Sequence, residues 1–594
     1  DGLPADQVST ENGTIVCNSA RWPLIIDPQL QGIKWLRQKE SHPDRNLQVV
    51  RLGQNDLLRK LERALENGYT ILIENIGESI DAVLNPVIQR AVIKRGKKQY
   101  LKLGDTEVEF HKDFRLYLHT KLSNPHYPPE IQAETTLVNF TVTSAGLEDQ
   151  LLSLVVRKER LDLALLSEDL VKQQNDFTIK IKELEDNILQ KLAVAQGDIT
   201  EDVELIEGLE ATKKIANDIA IKQVQATQTQ ATIKMTSEKY RGVANRSSLL
   251  FFLMNDLVKI HTYYIYSLEA FTTVFYRGID LVPNTRPAQI EGPDGQLIDN
   301  PEMSDAELAE RCLVLIDSIT RTVFNYIRRG LFEMDKLTVA TILSLRLMVN
   351  DSKLSTEEVE YLIEGKVSPD PGNMGPLHEW LPPAIWPRVK ALEGMKRFAG
   401  LGDNMQSDSD EWQRWFDSEM PEIAKFPGDY QKTLTPFERL IVLRAMRPDR
   451  VTTALKTWIE EAMGKEYIFQ KPFDMAATYL ETSNQTPTFF VLFAGVDPTP
   501  WVEDLGKEKG ITFENGNFKN ISMGQGQEKP AEAVVEQFAK NGGWVMLQNC
   551  HLMQSWVPRL ERLLEVVQEN AHPEFRCFIS AEPPPISSWK NMPE

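Results

Sequence analysis

The first recognisable chemical pattern follows the apolar run WPLII, where a nucleotide-hydrolysing α/β protein carries its phosphate-binding loop. That loop reads GxxxxGK[ST], because backbone N–H groups wrap the phosphates, the lysine reaches the terminal phosphates and the hydroxyl holds Mg²⁺. Here the segment reads DPQLQGIKW: Asp27 adds a negative charge, Pro28 removes an N–H donor, and Trp35 replaces the hydroxyl. We interpret Asp27, Pro28, Gly32, Lys34 and Trp35 as a degenerate phosphate loop that binds no nucleotide.

A second apolar run, FFVLF, precedes the segment AGVDPTPWVEDL, which has the same two defects. Asp497 again adds a negative charge, and Pro498 is one of two prolines that remove N–H donors. The segment contains no lysine that could reach a phosphate. The sequence therefore opposes phosphate binding at both places.

The acidic pair that polarises the metal ion and water in such enzymes is also degraded. The first segment offers Glu74 and Asn75 after the run YTILI, and the second offers Gln548 and Asn549 in GGWVMLQN. Glu74 could act as a general base, but it lacks a neighbouring aspartate, a lysine and a hydroxyl. We favour a structural polar residue at the end of a buried strand, and we predict no catalytic residue.

Composition limits the remaining classes of function. The chain has 594 residues, with 66 Lys and Arg against 86 Asp and Glu, which gives a net charge of −20. This charge disfavours broad attraction to nucleic acid or to an anionic bilayer. Four scattered cysteines and eight histidines show no metal-ligand spacing, so we predict no metal site. The apolar runs are far shorter than the roughly 20 residues that cross a bilayer.

Short apolar runs alternate with a helical segment between residues 15 and 142. The runs of strand length are TIVCNS, WPLIID, LQVVRL, YTILIENI, FRLYLHT and TTLVNFTVT. The segment NDLLRKLERALEN between two of these runs predicts a helix. YTILIENI is apolar at successive positions, as expected for a strand that is covered on both faces. We predict an α/β domain at residues 1–145 with a largely parallel sheet.

A long helical segment follows, without Gly or Pro from Leu147 to Gln196. Its apolar seam alternates spacings of four and three residues, typical of a coiled coil: Leu170, Gln174, Phe177, Ile181, Leu184 and Ile188. Gly197 and Asp198 break the segment, and a second helical arm extends to Gly242. We predict an antiparallel coiled-coil hairpin at about residues 161–242, with arms of roughly 50 Å.

The rest of the chain predicts helices and then a second α/β segment. Helices are expected at 304–327 and 336–349, and residues 366–430, rich in Pro, Gly and Trp, predict an irregular connector. Residues 431–594 begin with a helix and continue with the strand runs TPTFFVLFAGV, FKNISMG, GGWVMLQNC and EFRCFISAE. Because the sequence stops soon after the last strand, we expect it to be a piece of a longer chain.

Several long strings, taken in order, resemble the dynein heavy chain family. They are RWPLIIDPQLQGIKWL, YTILIENIGESIDAVLNPVIQR, TTLVNFTVT, the helical hairpin, FFVLFAGVDPTPWVEDL, SMGQGQE and GGWVMLQNCHL. The match covers nearly the whole sequence and corresponds to the late part of the motor ring. DPQLQGIKWL, SMGQGQE and WVMLQNCHL resemble the axonemal type, the outer-arm form more than the inner-arm form.

This resemblance implies a fold of class α/β plus α, with two degenerate AAA+ (P-loop-like) α/β modules separated by a helical domain. Residues 1–145 would be the large α/β subdomain of the fifth module. Residues 146–365 would be its small helical subdomain, including the coiled-coil hairpin known as the buttress or strut. Residues 431–594 would be an incomplete large subdomain of the sixth module, after the connector.

The resemblance also implies a role. The segment would be a non-catalytic part of an ATP-driven, minus-end-directed microtubule motor for ciliary and flagellar beating, and its buttress would relay ring movement to the stalk. No cofactor is expected in it, because ATP and Mg²⁺ would bind other modules of the parent ATPase chain. Its location would be the cytoskeleton of the axoneme.

The resemblance implies partners of two kinds. The rest of the ring and the stalk would contact this segment, and the intermediate chains, light chains and microtubule would join through the parent chain. Nucleic acid and membranes are not expected. Family members often place an arginine finger before the strand TTLVNF, but Ala133 and Glu134 stand there, so we assign none.

Two alternatives remain open at this point. A stand-alone scaffold with nucleotide-dead α/β domains could bind a partner helix along the hairpin. An enzymatic alternative is that one of the two modules binds nucleotide in an unconventional way.

Overall fold

The computed structural model describes residues 2–4, 6–52, 56–78, 80, 82–96, 98–104, 106–122, 125–194, 203–284, 289–291, 297–299, 303–469, 473–493, 495–568 and 570–582. The chain forms two compact units, residues 1–468 and residues 469–594. Each unit has a hydrophobic core of its own.

The first unit opens with an α/β fold. Its strands are β1 (Trp22–Ile26), β2 (Gln48–Arg51), β3 (Thr70–Glu74), β4 (Val92–Arg95), β5 (Lys98–Leu103), β6 (Thr106–Glu109), β7 (Arg115–Thr120) and β8 (Thr135–Asn139). A parallel sheet has the strand order β2-β3-β7-β1-β8, and β4, β5 and β6 form a separate antiparallel sheet. The parallel sheet confirms the sequence prediction.

Helices surround this sheet: α1 (Gln7–Asn18), α2 (Gln31–Lys39), α3 (Leu57–Asn67), α4 (Asn85–Ile88) and α5 (Pro129–Glu134). The predicted strand TIVCNS is wrong, because these residues lie at the end of α1. The carboxylate of Asp6 caps this helix by accepting a hydrogen bond of 2.9 Å from the N–H of Ser9. Val16 is buried on the helix face that packs against the sheet, whereas the neighbouring Ile15 and Cys17 are exposed.

The middle strand β3 is covered on both faces, as its continuous apolar run predicts. Ile71 and Ile73 belong to one core cluster, whereas Leu72 belongs to another cluster with Trp35 and Phe140. Successive side chains of a strand point to opposite faces, so an unbroken apolar run is what a two-sided core requires.

A helical region completes the first unit. Its helices are α6 (Ser144–Glu159), α7 (Leu161–Val194), α8 (Val203–Glu238), α9 (Arg241–Asp256), α10 (Leu268–Asp280), α11 (Asp305–Arg329), α12 (Glu333–Asn350), α13 (Thr356–Glu364), α14 (Trp386–Glu393), α15 (Leu401–Ser407), α16 (Ser409–Phe416), α17 (Tyr430–Thr433), α18 (Pro436–Met446) and α19 (Val451–Met463). Two short strands, β9 (Gln289–Glu291) and β10 (Leu297–Asp299), pair antiparallel. The predicted helices at 304–327 and 336–349 are confirmed by α11 and α12.

The stretch 366–430 is not irregular as predicted, because it contains α14, α15 and α16. Three of its four tryptophans, Trp386, Trp412 and Trp415, are buried in the same core as the larger helices. The helices α18 and α19 also pack in this core, although the sequence pattern groups them with the second α/β segment. Short helices rich in Pro and Gly are too short to show a clear hydrophobic period, so hydrophobic periodicity does not predict them.

The longest helices, α7 and α8, pack against each other. Leu170 of α7 forms a buried cluster with Ala226 and Ile233 of α8. In α7 the less exposed positions recur with spacings of four and three: Leu163, Ser167, Leu170, Gln174, Phe177 and Ile181. In α8 the corresponding positions are Ile219, Gln223, Ala226, Gln230, Ile233 and Ser237. The predicted seam side chains of Leu184 and Ile188, and the predicted turn at 197–198, lie outside the described part.

The second unit is a smaller α/β fold. Its elements are α20 (Met475–Tyr479), β11 (Thr488–Val491), α21 (Thr499–Glu508), β12 (Phe518–Ser522), α22 (Glu528–Asn541), β13 (Trp544–Gln548), α23 (Val557–Gln568) and β14 (Arg576–Ala581). The strands are all parallel, in the order β11-β14-β13-β12. This order repeats β1-β7-β3-β2 of the first unit, so the loops that contain Asp27 and Asp497 follow the equivalent strand of their sheets.

Candidate functional site: two strand-to-helix loops and the root of the helix pair

The loop after β1 is closed by its own aspartate. Asp27 is fully buried, and its Oδ1 accepts a hydrogen bond of 3.0 Å from the N–H of Gln31. Its Oδ2 accepts one of 2.8 Å from the N–H of Ile33. These N–H groups belong to the first turn of α2, which in a working phosphate loop binds the phosphates. The carboxylate of Asp27 therefore stands where a phosphate oxygen would be held.

A buried histidine lies beside this carboxylate. The Nε2 atom of His119 is 3.9 Å from Oδ2 of Asp27 and has no hydrogen-bond partner among the described residues. Its Nδ1 faces the backbone N–H of Asn75 at 3.4 Å. Burial raises the pKa of Asp27 to about 6, against the effect of its backbone hydrogen bonds. Burial, with Lys121 and Arg37 nearby, lowers the pKa of His119 to about 4.

The remaining loop positions are filled by packing. A Cβ atom on Gly32 would lie 2.8 Å from the ring of Phe140, so the aromatic ring occupies the space beside this glycine. Trp35 is buried with its ring 6.3 Å from that of Phe140. Lys34 is 78% exposed, and its Nζ lies 3.7 Å from Oε1 of Glu269 in α10. The lysine thus pairs with the helical region.

Glu74 at the end of β3 is held by cations of the protein itself. Oε1 of Glu74 accepts a hydrogen bond of 2.9 Å from Nε of Arg37 in α2, and Oε2 lies 3.7 Å from Nε of Arg51 in β2. The next residue, Asn75, has a left-handed backbone with φ 55° and an exposed side chain. Because arginine side chains of the same unit hold both carboxylate oxygens of Glu74, this geometry favours the structural interpretation.

The second unit repeats the arrangement with different partners. Asp497 Oδ1 accepts hydrogen bonds of 3.0 Å from the N–H and 2.6 Å from the hydroxyl of Thr499, which opens α21. The amide of Gln548, at the end of β13, donates to the same hydroxyl. Pro498 contributes no N–H to the turn, and Asn549 takes a left-handed backbone with φ 58°. The helix terminus is again capped from within the chain.

Ion pairs hold the root of the helix pair, which is the part where α7 begins at Leu161 and α8 ends at Glu238. Arg241 follows α8 and donates to Glu148 at 3.0 Å and Asp149 at 2.9 Å, both in α6. It also donates to Glu238, in the last turn of α8. One guanidinium group therefore joins the end of the long helix to the helical core.

A second ion pair fixes the other helix of the pair. Glu159, two residues before α7, is 3% exposed and accepts hydrogen bonds of 2.8 and 3.0 Å from Arg311 of α11. Arg311 also donates to the carbonyl of Val282 at 2.6 Å. The point at which α7 begins and the point at which α8 ends are therefore both tied to the helical core.

Several of these residues have no signal in the sequence. Arg37, Arg51, His119, Phe140 and Arg311 act on partners that are far away along the chain. Only the strand order and the helix packing bring them together. Within the described residues, no group of three or more His, Cys, Asp or Glu side chains could hold a metal ion. No described helix is long and apolar enough to span a membrane.

Two family models match the chain. One, described as the ATP-binding dynein motor region, matches residues 1–219, and the other, the dynein heavy chain region D6 P-loop domain, matches residues 483–592. The dynein alpha chain of the flagellar outer arm of Chlamydomonas reinhardtii is 46% identical over 98% of this chain. Dynein axonemal heavy chain 9 of Homo sapiens is 45% identical over 100% of it.

The chain belongs to the axonemal dynein heavy chain family. The ciliary dynein beta chain of Tripneustes gratilla is likewise 45% identical over 98% of the chain. The segment spans 14%, 13% and 12% of the lengths of these three curated relatives. Membership of this family confirms the predicted location in the cytoskeleton of a cilium or flagellum.

Proposed function

We propose that this dynein segment is a non-catalytic part of the AAA+ ring of an ATP-driven, minus-end-directed microtubule motor. In this proposal its two α/β folds are the fifth and the sixth module, and α7 and α8 form the buttress that relays ring movement to the stalk. ATP and Mg²⁺ act in other modules of the parent chain. The intermediate chains, light chains and microtubule join through that parent chain.

The proposal that the first α/β fold binds no nucleotide rests on the capping of α2 by Asp27. Its two carboxylate oxygens accept the N–H groups of Gln31 and Ile33, so a phosphate would have to displace a buried internal anion. Bringing a second anion to the same helix terminus would also meet like-charge repulsion. The equivalent contact of Asp497 with Thr499 supports the same role for the second fold.

The relay role rests on the clamped root and on the exposed sides of the helix pair. Arg241, which follows α8, pairs with Glu148 of α6. Arg311 of α11 pairs with Glu159, two residues before α7. Away from the seam, apolar side chains stay exposed along both helices: Leu165, Val171, Ile179, Ile221, Val224 and Met235. Such side chains suit contact with another helix, which in the proposed ring is the stalk.

The relay is tested in the complete motor by weakening the buried seam. The double variant Leu170→Ala with Ile233→Ala should keep basal ATPase activity and lose most of the stimulation by microtubules, because the helix pair no longer transmits displacement. Leu313→Ala in α11, which removes a leucine side chain that is 66% exposed and lies outside the helix pair, is the matched control and should retain stimulation. Full stimulation in the double variant would contradict the relay.

The proposal that neither α/β fold binds nucleotide is tested separately, by photo-crosslinking the complete motor with an azido-ATP. Labelled peptides should come from other modules, whereas peptides covering residues 22–40 and 488–510 should carry no label. Label at either segment would support the enzymatic alternative. A stand-alone scaffold predicts that the 594 residues form a stable monomer that needs no ring neighbours.

A further inference from the structure

A cleft of about 340 Å³ opens at the edge of the first sheet where β1 and β7 begin. The end of α1 and the segments leading into β4 and β7 line it. Asp27 and Glu74 lie at the opposite edge, where the strands β1 and β3 end. The cleft is therefore separate from the blunted phosphate loop of this unit.

The charge of this cleft is opposite to that of the chain. Its lining includes Arg21, Arg90, Lys112 and Arg115, and it includes no Asp or Glu. None of these four cations forms an ion pair within the part of the chain that the structure describes. The chain as a whole carries 20 more acidic than basic side chains. Four uncompensated cations around one concave surface create a local positive potential that favours an anion.

One of the cations is held in a fixed orientation. The guanidinium carbon of Arg90 lies 3.7 Å from the ring centroid of Trp22, which is the geometry of a stacked cation–π pair. The ring is fixed in turn, because Trp22 Nε1 donates a hydrogen bond of 2.9 Å to the carbonyl of Val87. Stacking leaves the N–H edge of a guanidinium group free, and this edge matches the oxygens of phosphate or carboxylate.

The number of cations distinguishes between these two anions. A phosphate ester or diphosphate carries two or three negative charges within a few ångströms. A carboxylate carries one, so an acidic peptide would need several side chains to converge in the same 340 Å³. The apolar floor, which includes the edge-on pair of Trp22 and Phe114 at 5.7 Å, suits the organic part of a small ligand.

We propose that this cleft binds a phosphate-bearing small molecule, with Arg90 and Arg115 on the phosphate oxygens and Arg21 and Lys112 neutralising the remaining charge. The site is additional to the nucleotide sites of the motor and independent of the blunted loops.

A cysteine in the cleft provides a site-specific reporter. Cys17 is exposed, lines the cleft, and lies 2.6 Å from Nζ of Lys39. Alkylation by iodoacetamide in the complete heavy chain, followed by mass spectrometry of the peptide, measures access to this thiol alone. ADP or inorganic pyrophosphate at millimolar concentration should slow the alkylation of Cys17 at least fivefold. Adenosine, which carries no phosphate, should leave the rate unchanged.

Two variants separate local binding from an effect relayed from another nucleotide site. Arg90→Gln removes the stacked cation, and Lys112→Gln removes an exposed one that has no ion pair among the described residues. Both variants should lose most of the protection of Cys17. Lys102→Gln, an exposed lysine on β5 outside the cleft, is the matched control and should keep full protection.

The outcomes are distinct. Protection by both ADP and pyrophosphate supports recognition of the phosphate group, and stronger protection by ADP assigns the source to a nucleotide. Protection that persists in Arg90→Gln and Lys112→Gln would show a relayed effect and overturn the proposal. Equal protection by a tetraglutamate peptide would show that the cleft recognises carboxylates and not phosphate specifically, which would overturn the proposal. An unchanged rate with every phosphate compound would also overturn it.

Discussion

Oδ2 of Asp27 accepts a hydrogen bond of 2.8 Å from the backbone N–H of Ile33, across the first turn of the helix that follows β1. In the second unit Asp497 accepts from the N–H of Thr499 at 3.0 Å after the equivalent strand. A proline follows the aspartate in both loops, at Pro28 and Pro498. In both units an aspartate of the chain therefore accepts a hydrogen bond at the start of the helix that follows the equivalent strand.

The pair Asp27 and His119 should give two opposite pH effects on stability. The pKa of Asp27 is raised from 3.8 to about 6, so the unfolded chain releases this proton first as pH rises, and the fold loses stability between about pH 4 and 6. The pKa of His119 is lowered from 6.5 to about 4, so the unfolded chain binds a proton first as pH falls. The fold then loses stability between about pH 6.5 and 4. Each effect is roughly 3 kcal/mol, at about 1.4 kcal/mol per pKa unit.

Single variants should separate these two effects. On acidification from pH 7 to 4, Asp27→Asn should be destabilised through the remaining histidine, and His119→Gln should be stabilised through the remaining aspartate. The stability of the double variant should show neither of these two dependences on pH. Urea-dependent hydrogen exchange of peptides from α2 and β7 measures this local stability. Identical pH profiles for the two single variants would refute the assignment.

Gly32→Ala should destabilise the first unit by about 1 to 3 kcal/mol, because the new Cβ would meet the Phe140 ring at 2.8 Å. The penalty should shrink when Phe140 is replaced by Leu, which a double-mutant cycle measures as a coupling energy. Gly242→Ala in α9 is the matched control, since no atom lies within 4 Å of its Cβ. A penalty unchanged by the Phe140 substitution would show that the ring is not its cause.

The contrast between Gly32 and Asp27 shows what sequence can predict here. Asp27 and Pro28 stand in a recognisable loop beside an apolar strand, so the prediction that this loop binds no phosphate can be made from local chemistry. Phe140 lies 108 residues after Gly32, and only the pairing of β1 with β8 brings the two together. The same holds for Glu74 with Arg37 and Arg51. Periodicity predicted α7 and α11, but it failed at residues 14–19, where the adjacent apolar residues Ile15, Val16 and Cys17 imitate a short strand although they lie in α1.

Arg311→Met should cost roughly 3 to 5 kcal/mol, because it leaves the buried carboxylate of Glu159 without its partner. The double variant Arg311→Met with Glu159→Gln should cost less, since no unpaired charge remains. Arg321→Met on the same helix is the control: its pair with Asp317 is exposed and should be worth about 0.5 kcal/mol or less. Hydrogen exchange of α11 and of the start of α7 measures the loss. A double variant as unstable as the single one would mean that packing, and not charge, dominates.

Leu170→Ala should destabilise α7 and α8 together. Leu170 is 8% exposed and packs on Ala226 and Ile233, so truncation leaves a cavity between the helices and should cost roughly 2 to 4 kcal/mol. Because neither helix buries this surface alone, hydrogen exchange should accelerate in peptides of both helices. Leu165→Ala, which removes an exposed side chain of the same size, should change exchange by less than about 0.5 kcal/mol. Acceleration confined to α7, or equal in both variants, would mean that the two helices do not stabilise each other through this seam.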